Sequence, residues 1–203
     1  MENTTIIFFI ILLIIIYLCD KNKVFDKNCI ITKVYFYKNV LSQDDYKKVF
    51  EECNRLKPNL ELQYSDDTVR NVIKVKNNNS PLNDIFYSDK FINYLYKKLG
   101  FKLKPSQNLP IEFRTYEIGG KMAWHRDYVD KVVNNCPQIE VVFTLENNSD
   151  SKTVWIDDDT GIQHDVITEN NSIIITQGNS SYHMVTPVTS GQRSIVKIAY
   201  DIL

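Results

Sequence analysis

A chain of 203 residues has room for one substantial domain and an appendage, but not for two full domains. Its 43% hydrophobic and 24% charged residues exclude both wholesale disorder and a polytopic membrane protein. Lys plus Arg (24) and Asp plus Glu (25) nearly cancel, so no global field steers the protein toward nucleic acid or acidic lipid. The abundance of Asn, Ile and Lys is the coding bias of AT-rich genomes, giant DNA viruses among them.

The first feature along the chain is an unbroken apolar run of fourteen residues, Ile6 to Cys19, free of Gly, Pro and charge. A spanning helix needs about 20 residues, with a lower limit near 17, which this run reaches only with its flanks. A secretory leader is the alternative, but the sequence after the run, YLCDKNKVFDKN, lacks the small-residue site that cleavage requires. Residues 1–20 are therefore expected to form a single N-terminal transmembrane helix, retained as an anchor, and residues 21–39 a linker and a first strand. Lys21, Lys23 and Lys27 behind the run leave the domain in the cytoplasm under the positive-inside rule, whereas sequons at Asn147, Asn170 and Asn179 would suit a lumen. The side of the membrane stays open at this point.

Residues 40–203 read as one folded unit, with helical support over 40–100 and a β core over 101–203. In LSQDDYKKVFEECNRLKP (41–58), Ser42 is placed to cap a helix, acids fill its first turn, and Tyr46, Val49, Phe50, Cys53 and Leu56 share a face before Pro58 ends it. A second helix is expected in SDKFINYLYKKLGF (88–101), capped by Ser88, with Phe91, Leu95 and Leu99 at helical spacing and Gly100 as terminator. The texture then changes to short apolar or alternating runs punctuated by Gly, Asn, Asp and Pro: IEFRTYEI, IEVVFTLE, TVWI, HDVIT, SIIIT and RSIVKIAYDI. Strands of this number and length predict a sandwich, jelly roll or barrel. The cysteines, Cys19, Cys29, Cys53 and Cys136, contain no CxxC pair and no short ladder, so neither a disulfide framework nor structural zinc is expected, and Cys53 reads as a small core residue.

Only three histidines occur, His125, His164 and His183, all in the β half. In AWHRDYVD an extended backbone sends His125 and Asp127 off one face, and a second imidazole from a distant strand would complete a two-histidine, one-carboxylate site with open positions for ligands. His183, beyond a β run and a Gly-Asn-Ser-Ser turn, is the better placed partner. His164, just past WIDDDTG, reads as a surface or turn histidine. Asp157 to Asp159 read as a solvated loop tip, being too short a set of oxygens for a calcium loop.

The stretch FRTYEIGGKMAWHRD (113–127) resembles the strand-turn-strand entrance of the prolyl 4-hydroxylase-like 2-oxoglutarate and iron(II)-dependent oxygenases. HMVTPVTSGQRSIVKIAY (183–200) resembles their distal segment, with a His, a V-x-P step, a Gly turn and a basic residue ten positions on. The resemblance covers residues 100–203 closely and 40–99 loosely. It implies a mainly β protein with N-terminal helices, the β part a double-stranded β-helix or jelly roll. It also implies Fe(II) held by His125, Asp127 and His183, and 2-oxoglutarate gripped at its distal carboxylate by Arg193. Tyr116 and Thr144 become further cosubstrate contacts, and Lys197, four residues after Arg193 and so on the same strand face, ranks second to it. O2 would be the oxidant, ascorbate an auxiliary reductant, and a prolyl or other residue of a protein or peptide the substrate. The WIDDDTG run and the short span between HxD and the distal His depart from the family pattern. Trp124 and Trp155 would border a substrate groove or simply pack.

Two rivals remain. One is a non-catalytic β-barrel binding or structural protein of a membrane or virion with a vestigial iron site, from which an intact triad plus arginine is not required. The other is a nucleic-acid demethylating oxygenase, which the balanced charge disfavours. No P-loop, nucleophile elbow or dinucleotide glycine fingerprint is present.

Overall fold

The computed structural model describes residues 27–75, 79–127 and 136–203. The expected anchor at 1–20 lies outside the described residues, and no helix among those described is long and apolar enough to cross a membrane.

Both expected helices form where their caps place them. Helix α1 (Gln43–Leu56) starts at Ser42, whose hydroxyl accepts from the Asp45 amide, and Pro58 lies in the 3-10 turn that follows it. Helix α3 (Asp89–Leu99) starts at Ser88, whose hydroxyl accepts from the Phe91 amide, and ends at Gly100 in the left-handed conformation, φ 79°. Between them, a short helix α2 (Pro81–Phe86) follows the Ser80-Pro81 cap, a start that the sequence reading did not single out.

The support region is not purely helical. Besides β1 (Tyr35–Lys38) in the linker, it contains β2 (Glu61–Tyr64) and β3 (Thr68–Lys74), an antiparallel hairpin. Its strands follow no simple alternation of apolar and polar residues, and β2 is exposed throughout, which is why periodicity alone missed them. A short β4 (Leu103–Pro105) leads into eight strands: β5 (Glu112–Tyr116), β6 (Lys121–His125), β7 (Ile139–Asn147), β8 (Thr153–Ile156), β9 (Gln163–Val166), β10 (Ser172–Gln177), β11 (Tyr182–Val185) and β12 (Arg193–Ile202).

Their pairing defines the fold. The first of the eight pairs with the last (β5 with β12), the second with the seventh (β6 with β11), the third with the sixth (β7 with β10) and the fourth with the fifth (β8 with β9), all antiparallel. This is one long hairpin, and successive turns of it are joined by β12–β7 and β11–β8. Winding gives one four-strand face ordered β5-β12-β7-β10 and another ordered β6-β11-β8-β9, the double-stranded β-helix that the resemblance implies. Strand β3 bridges the faces, pairing β5 through Asn71–Lys74 and β6 through Thr68 and Val69.

Alternation along the β5-β12-β7-β10 face sorts its side chains between two cores. Val141 and Phe143 on β7, Val196, Ile198 and Tyr200 on β12, and Ile173 and Ile175 on β10 belong to the same buried cluster as Val49, Cys53, Leu82, Phe86, Phe91 and Leu95 of the helices. Their neighbours turn into the barrel, where Tyr116, Val185, Val188 and Ile195 form a smaller cluster with Met122 and Val142 against it. The helices thus stiffen the sheet from outside, and the barrel interior holds polar residues beside this smaller apolar cluster.

One expectation is overturned. Cys29 and Cys136 form a disulfide, with Cα atoms 5.8 Å apart across 107 residues of sequence. The separation hides the pair from any spacing rule, because only the fold brings the linker beside the start of β7. Gln177 reinforces the junction, donating to the Cys29 and Pro137 carbonyls and accepting from the Ile31 amide. Cys53 is buried and free, as expected. Replacing Cys29 and Cys136 together by serine is expected to lower the unfolding free energy by about 2–4 kcal/mol, since the bond closes a long loop of the denatured chain. Denaturant titration of oxidised wild type and variant measures it.

Candidate metal centre

His125 ends β6 and His183 lies in register with it on β11, so the two imidazoles meet side by side with ring centroids 4.3 Å apart. A register shift between His183 and Val185 marks the irregularity at this point of the sheet. Asp127 stands two residues past the strand, where its backbone carbonyl accepts from the Asn179 amide, and its side chain falls beside both rings. Asp127 Oδ2 is 3.3 Å from His183 Nε2, and Oδ1 is 3.8 Å from His125 Nε2. One ligand atom from each of His125, Asp127 and His183 lies within 4.8 Å of the others. Among the described residues this is the one such group.

The second nitrogen of each ring fixes its orientation. His125 Nδ1 lies 2.8 Å from the Ala123 carbonyl and His183 Nδ1 lies 2.9 Å from the Ser181 carbonyl. A carbonyl only accepts, so Nδ1 carries a proton in both rings and Nε2 is the nitrogen turned to the centre. Burial, and then His183, depress the His125 pKa and favour the neutral imidazole that a metal needs. Burial pushes the Asp127 carboxyl up, but Lys197, His183 and His125 outweigh it and hold the group well below the usual carboxylate range. Two imidazoles and a carboxylate on one side of an open cavity are the donor set of a mononuclear site for a divalent metal such as iron(II).

The same cavity is lined by Arg114, Tyr116, Glu140, Arg193 and Lys197, and closed by apolar residues including Val142, Ile174, Val185 and Ile195. Arg193 is 1% exposed. Among the described residues, neither its Nε nor its Nη1 has a hydrogen-bond partner. Burial depresses its pKa and only Tyr116, opposite it in the β5–β12 register, works in the other direction. A buried guanidinium with two free donors is a costly arrangement unless an anion completes it. Gly191, two residues earlier, sets the turn: its φ is 72°, and a Cβ there would sit 2.4 Å from the Asn148 carbonyl oxygen.

Tyr116 is buried in the same cluster. Burial raises its phenol, but Arg114, then Arg70 and Arg193, outweigh this and hold it below the ordinary tyrosine value, and Arg70 donates to its oxygen at 3.4 Å. Lys197 shares the inward face with Arg193, but its ammonium is engaged with Asp127 Oδ1 at 3.3 Å and with Glu140. Thr144 is fully buried on β7, level with Ile195, and its hydroxyl lacks a partner among the described residues.

His164 is held apart from the centre. Its Nε2 is 3.0 Å from Asp157 Oδ2 and its ring stacks on Trp155. Gln in its place is therefore expected to leave metal content unchanged, which elemental analysis of the two proteins checks. Asp158 pairs with Arg126 and Asp159 with Lys33, so the acidic tip ties neighbouring segments together. Trp155 lines the cavity, whereas Trp124 stacks on Tyr182. The sequence reading missed Arg70, Arg114 and Glu140. Glu140 carried a signal, as an acid on the inward parity of the mostly apolar IEVVFTLE strand, and Arg114 shares the alternation of Tyr116.

A double-stranded β-helix with two imidazoles and a carboxylate at its core defines a class of barrel metalloprotein. No family model matches the sequence, and no curated protein matches it. Solved structures do resemble it. A prolyl-4-hydroxylase from Pseudomonas putida superposes with a TM-score of 0.64 at 13% identity, over 84% of this chain and 92% of that one. A Trichoplax adhaerens prolyl hydroxylase, in complex with a hypoxia inducible factor oxygen degradation domain peptide, gives 0.65 at 11% identity over 83% of each chain. HygX from Streptomyces hygroscopicus, with nickel, 2-oxoglutarate and hygromycin B bound, gives 0.61 at 9% identity over 83% and 82%. The chain has the fold of the 2-oxoglutarate and iron(II) oxygenases, prolyl 4-hydroxylases among them.

Proposed function

We propose that this protein is an Fe(II)- and 2-oxoglutarate-dependent dioxygenase that hydroxylates a prolyl or other residue of a protein or peptide. The observation that carries the reading is Arg193: a buried cation, its Nε and Nη1 without a hydrogen-bond partner among the described residues, in the cavity that holds His125, Asp127 and His183. When bound, iron(II) with 2-oxoglutarate and O2 supplies the oxidation itself, in which the cosubstrate becomes succinate and CO2 and one oxygen atom enters a C–H bond of the substrate.

The chain's own residues do the rest. His125, Asp127 and His183 would hold the metal through their three donor atoms. Arg193 receives the distal carboxylate of 2-oxoglutarate through Nε and Nη1, and Tyr116 and Thr144 offer hydroxyls beside it. Val142, Ile174, Val185 and Ile195 keep water from the reacting groups. The charges close: metal (+2), Asp127 (−1), the cosubstrate dianion (−2) and Arg193 (+1) sum to zero, as a buried site requires. Ascorbate would serve as an auxiliary reductant.

A peptide substrate is supported by the Trichoplax neighbour, which is in complex with a peptide fragment. Incubation with Fe(II), 2-oxoglutarate and a panel of proline-containing peptides tests it: a mass gain of one oxygen in a peptide supports the reading. Product formed only from small molecules or nucleic acid would overturn that substrate class. A vestigial site would bind metal without consuming 2-oxoglutarate.

Attachment to a membrane through residues 1–20 is part of the same reading, with the domain on an oxidising, luminal side. The Cys29–Cys136 bond supports that side against the three lysines, since disulfides persist in oxidising compartments. The full-length protein is expected to sediment with membranes and to be protected from added protease. A soluble full-length protein with an intact N-terminus contradicts the anchor, and cleavage by protease in sealed vesicles contradicts the side.

A further inference from the structure

Lys197 and Glu140 are not needed to neutralise the proposed metal and cosubstrate. They cancel each other, and the four groups counted above already sum to zero. A buried ion pair costs desolvation, so one that adds nothing to charge balance calls for another role. Glu140 is 3% exposed on β7, and it grips the Lys197 ammonium across the β12–β7 ladder, where Ala199 and not Lys197 is its register partner. The ammonium is thereby tethered within the barrel, 3.3 Å from Asp127 Oδ1. The other oxygen, Oδ2, lies nearer the imidazoles, 3.3 Å from His183 Nε2 against 3.8 Å between Oδ1 and His125 Nε2.

We infer that Lys197, held by Glu140, is a positioning residue that occupies one carboxylate oxygen of Asp127 and presents only the other to the metal. The inference rests on the metal-site reading above and deepens it. A six-coordinate metal held by two imidazoles and a one-oxygen carboxylate keeps three positions free, and an aspartate binding through both oxygens would leave two. Two donor atoms of 2-oxoglutarate and one O2 would need three. The Glu140–Lys197–Asp127 chain thus protects the vacancy on which the proposed reaction depends, and holds the ligand in place as partners of metal ligands do elsewhere.

Cobalt(II) tests this without turnover, because its visible absorption reports coordination number and calorimetry gives its affinity. Lys197→Met is expected to give an altered Co(II) absorption spectrum, that of a higher coordination number, because the released Asp127 oxygen becomes a second donor. Lys197→Met alone leaves Glu140 unpaired, so the Lys197→Met/Glu140→Leu double variant, which removes both charges together, is measured beside it with the same expectation. A role in charge alone predicts tighter metal binding, once a cation is removed from beside the site, with the spectrum unchanged. An unchanged spectrum, in whichever variant folds, overturns the inference while leaving the metal site standing. Failure of wild type to bind Co(II) overturns the metal-site reading and this inference with it.

Discussion

Alanine at Asp127 or at His183 is expected to abolish metal binding and turnover together while the fold survives. Both side chains line a cavity and neither belongs to the apolar cluster between the helices and the sheet. In the Asp127 variant Lys197 keeps Glu140 as its partner, so no buried cation is stranded. Metal affinity should fall by more than about a hundredfold, beyond the 10–100-fold typical of a residue acting only through a ligand. Unfolding free energy should change by under about 2 kcal/mol, within the range of ordinary single substitutions. Metal analysis and thermal melts of purified variants supply both numbers. An unfolded variant, or one that keeps its metal and turns over, contradicts the assignment.

The Arg193→Ala variant separates a 2-oxoglutarate site from any other metal site in a barrel. The arginine touches none of the three proposed ligands, so metal content should stay near normal. Losing a buried, charge-assisted contact to a carboxylate costs about 2–5 kcal/mol, which is roughly a thirty- to several-thousand-fold weaker hold on the cosubstrate. A surface salt-bridge arginine would cost under about 1 kcal/mol. The variant should also melt no lower than wild type without cosubstrate, because it removes a buried charge whose Nε and Nη1 have no partner among the described residues. Added 2-oxoglutarate should then raise the melting temperature of metal-loaded wild type alone. An unchanged cosubstrate requirement contradicts the role given to Arg193.

The sequence was most informative about the proposed metal site. Three histidines in the whole chain, two of them in recognisable surroundings, left few ways to build a metal site, and strand alternation predicted that His125 and Asp127 would face the same way. Strands β8 and β12 match the TVWI and RSIVKIAYDI runs, since apolar runs bounded by turn residues mark their own ends. Helix caps at Ser42 and Ser88 were legible because a hydroxyl at the first turn satisfies amides that nothing else reaches. Long-range facts were not. The Cys29–Cys136 bond, the insertion of β2 and β3 among the helices, and the Glu140–Lys197 pair all depend on which distant segments the fold brings together. Lys197 shows the difference well. Its place on the same strand face as Arg193 could be read from spacing, but its engagement with Asp127 and Glu140 could not.

The most direct test is succinate release by the purified domain, Cys29–Cys136 intact, from 2-oxoglutarate under air with Fe(II), alongside its Asp127→Ala and Arg193→Ala forms. The account predicts succinate from wild type that disappears on iron chelation and in the Asp127 variant, and that returns in the Arg193 variant only at far higher 2-oxoglutarate. A folded, metal-loaded wild type that neither binds 2-oxoglutarate nor forms succinate, with any peptide of the panel or without one, would contradict it.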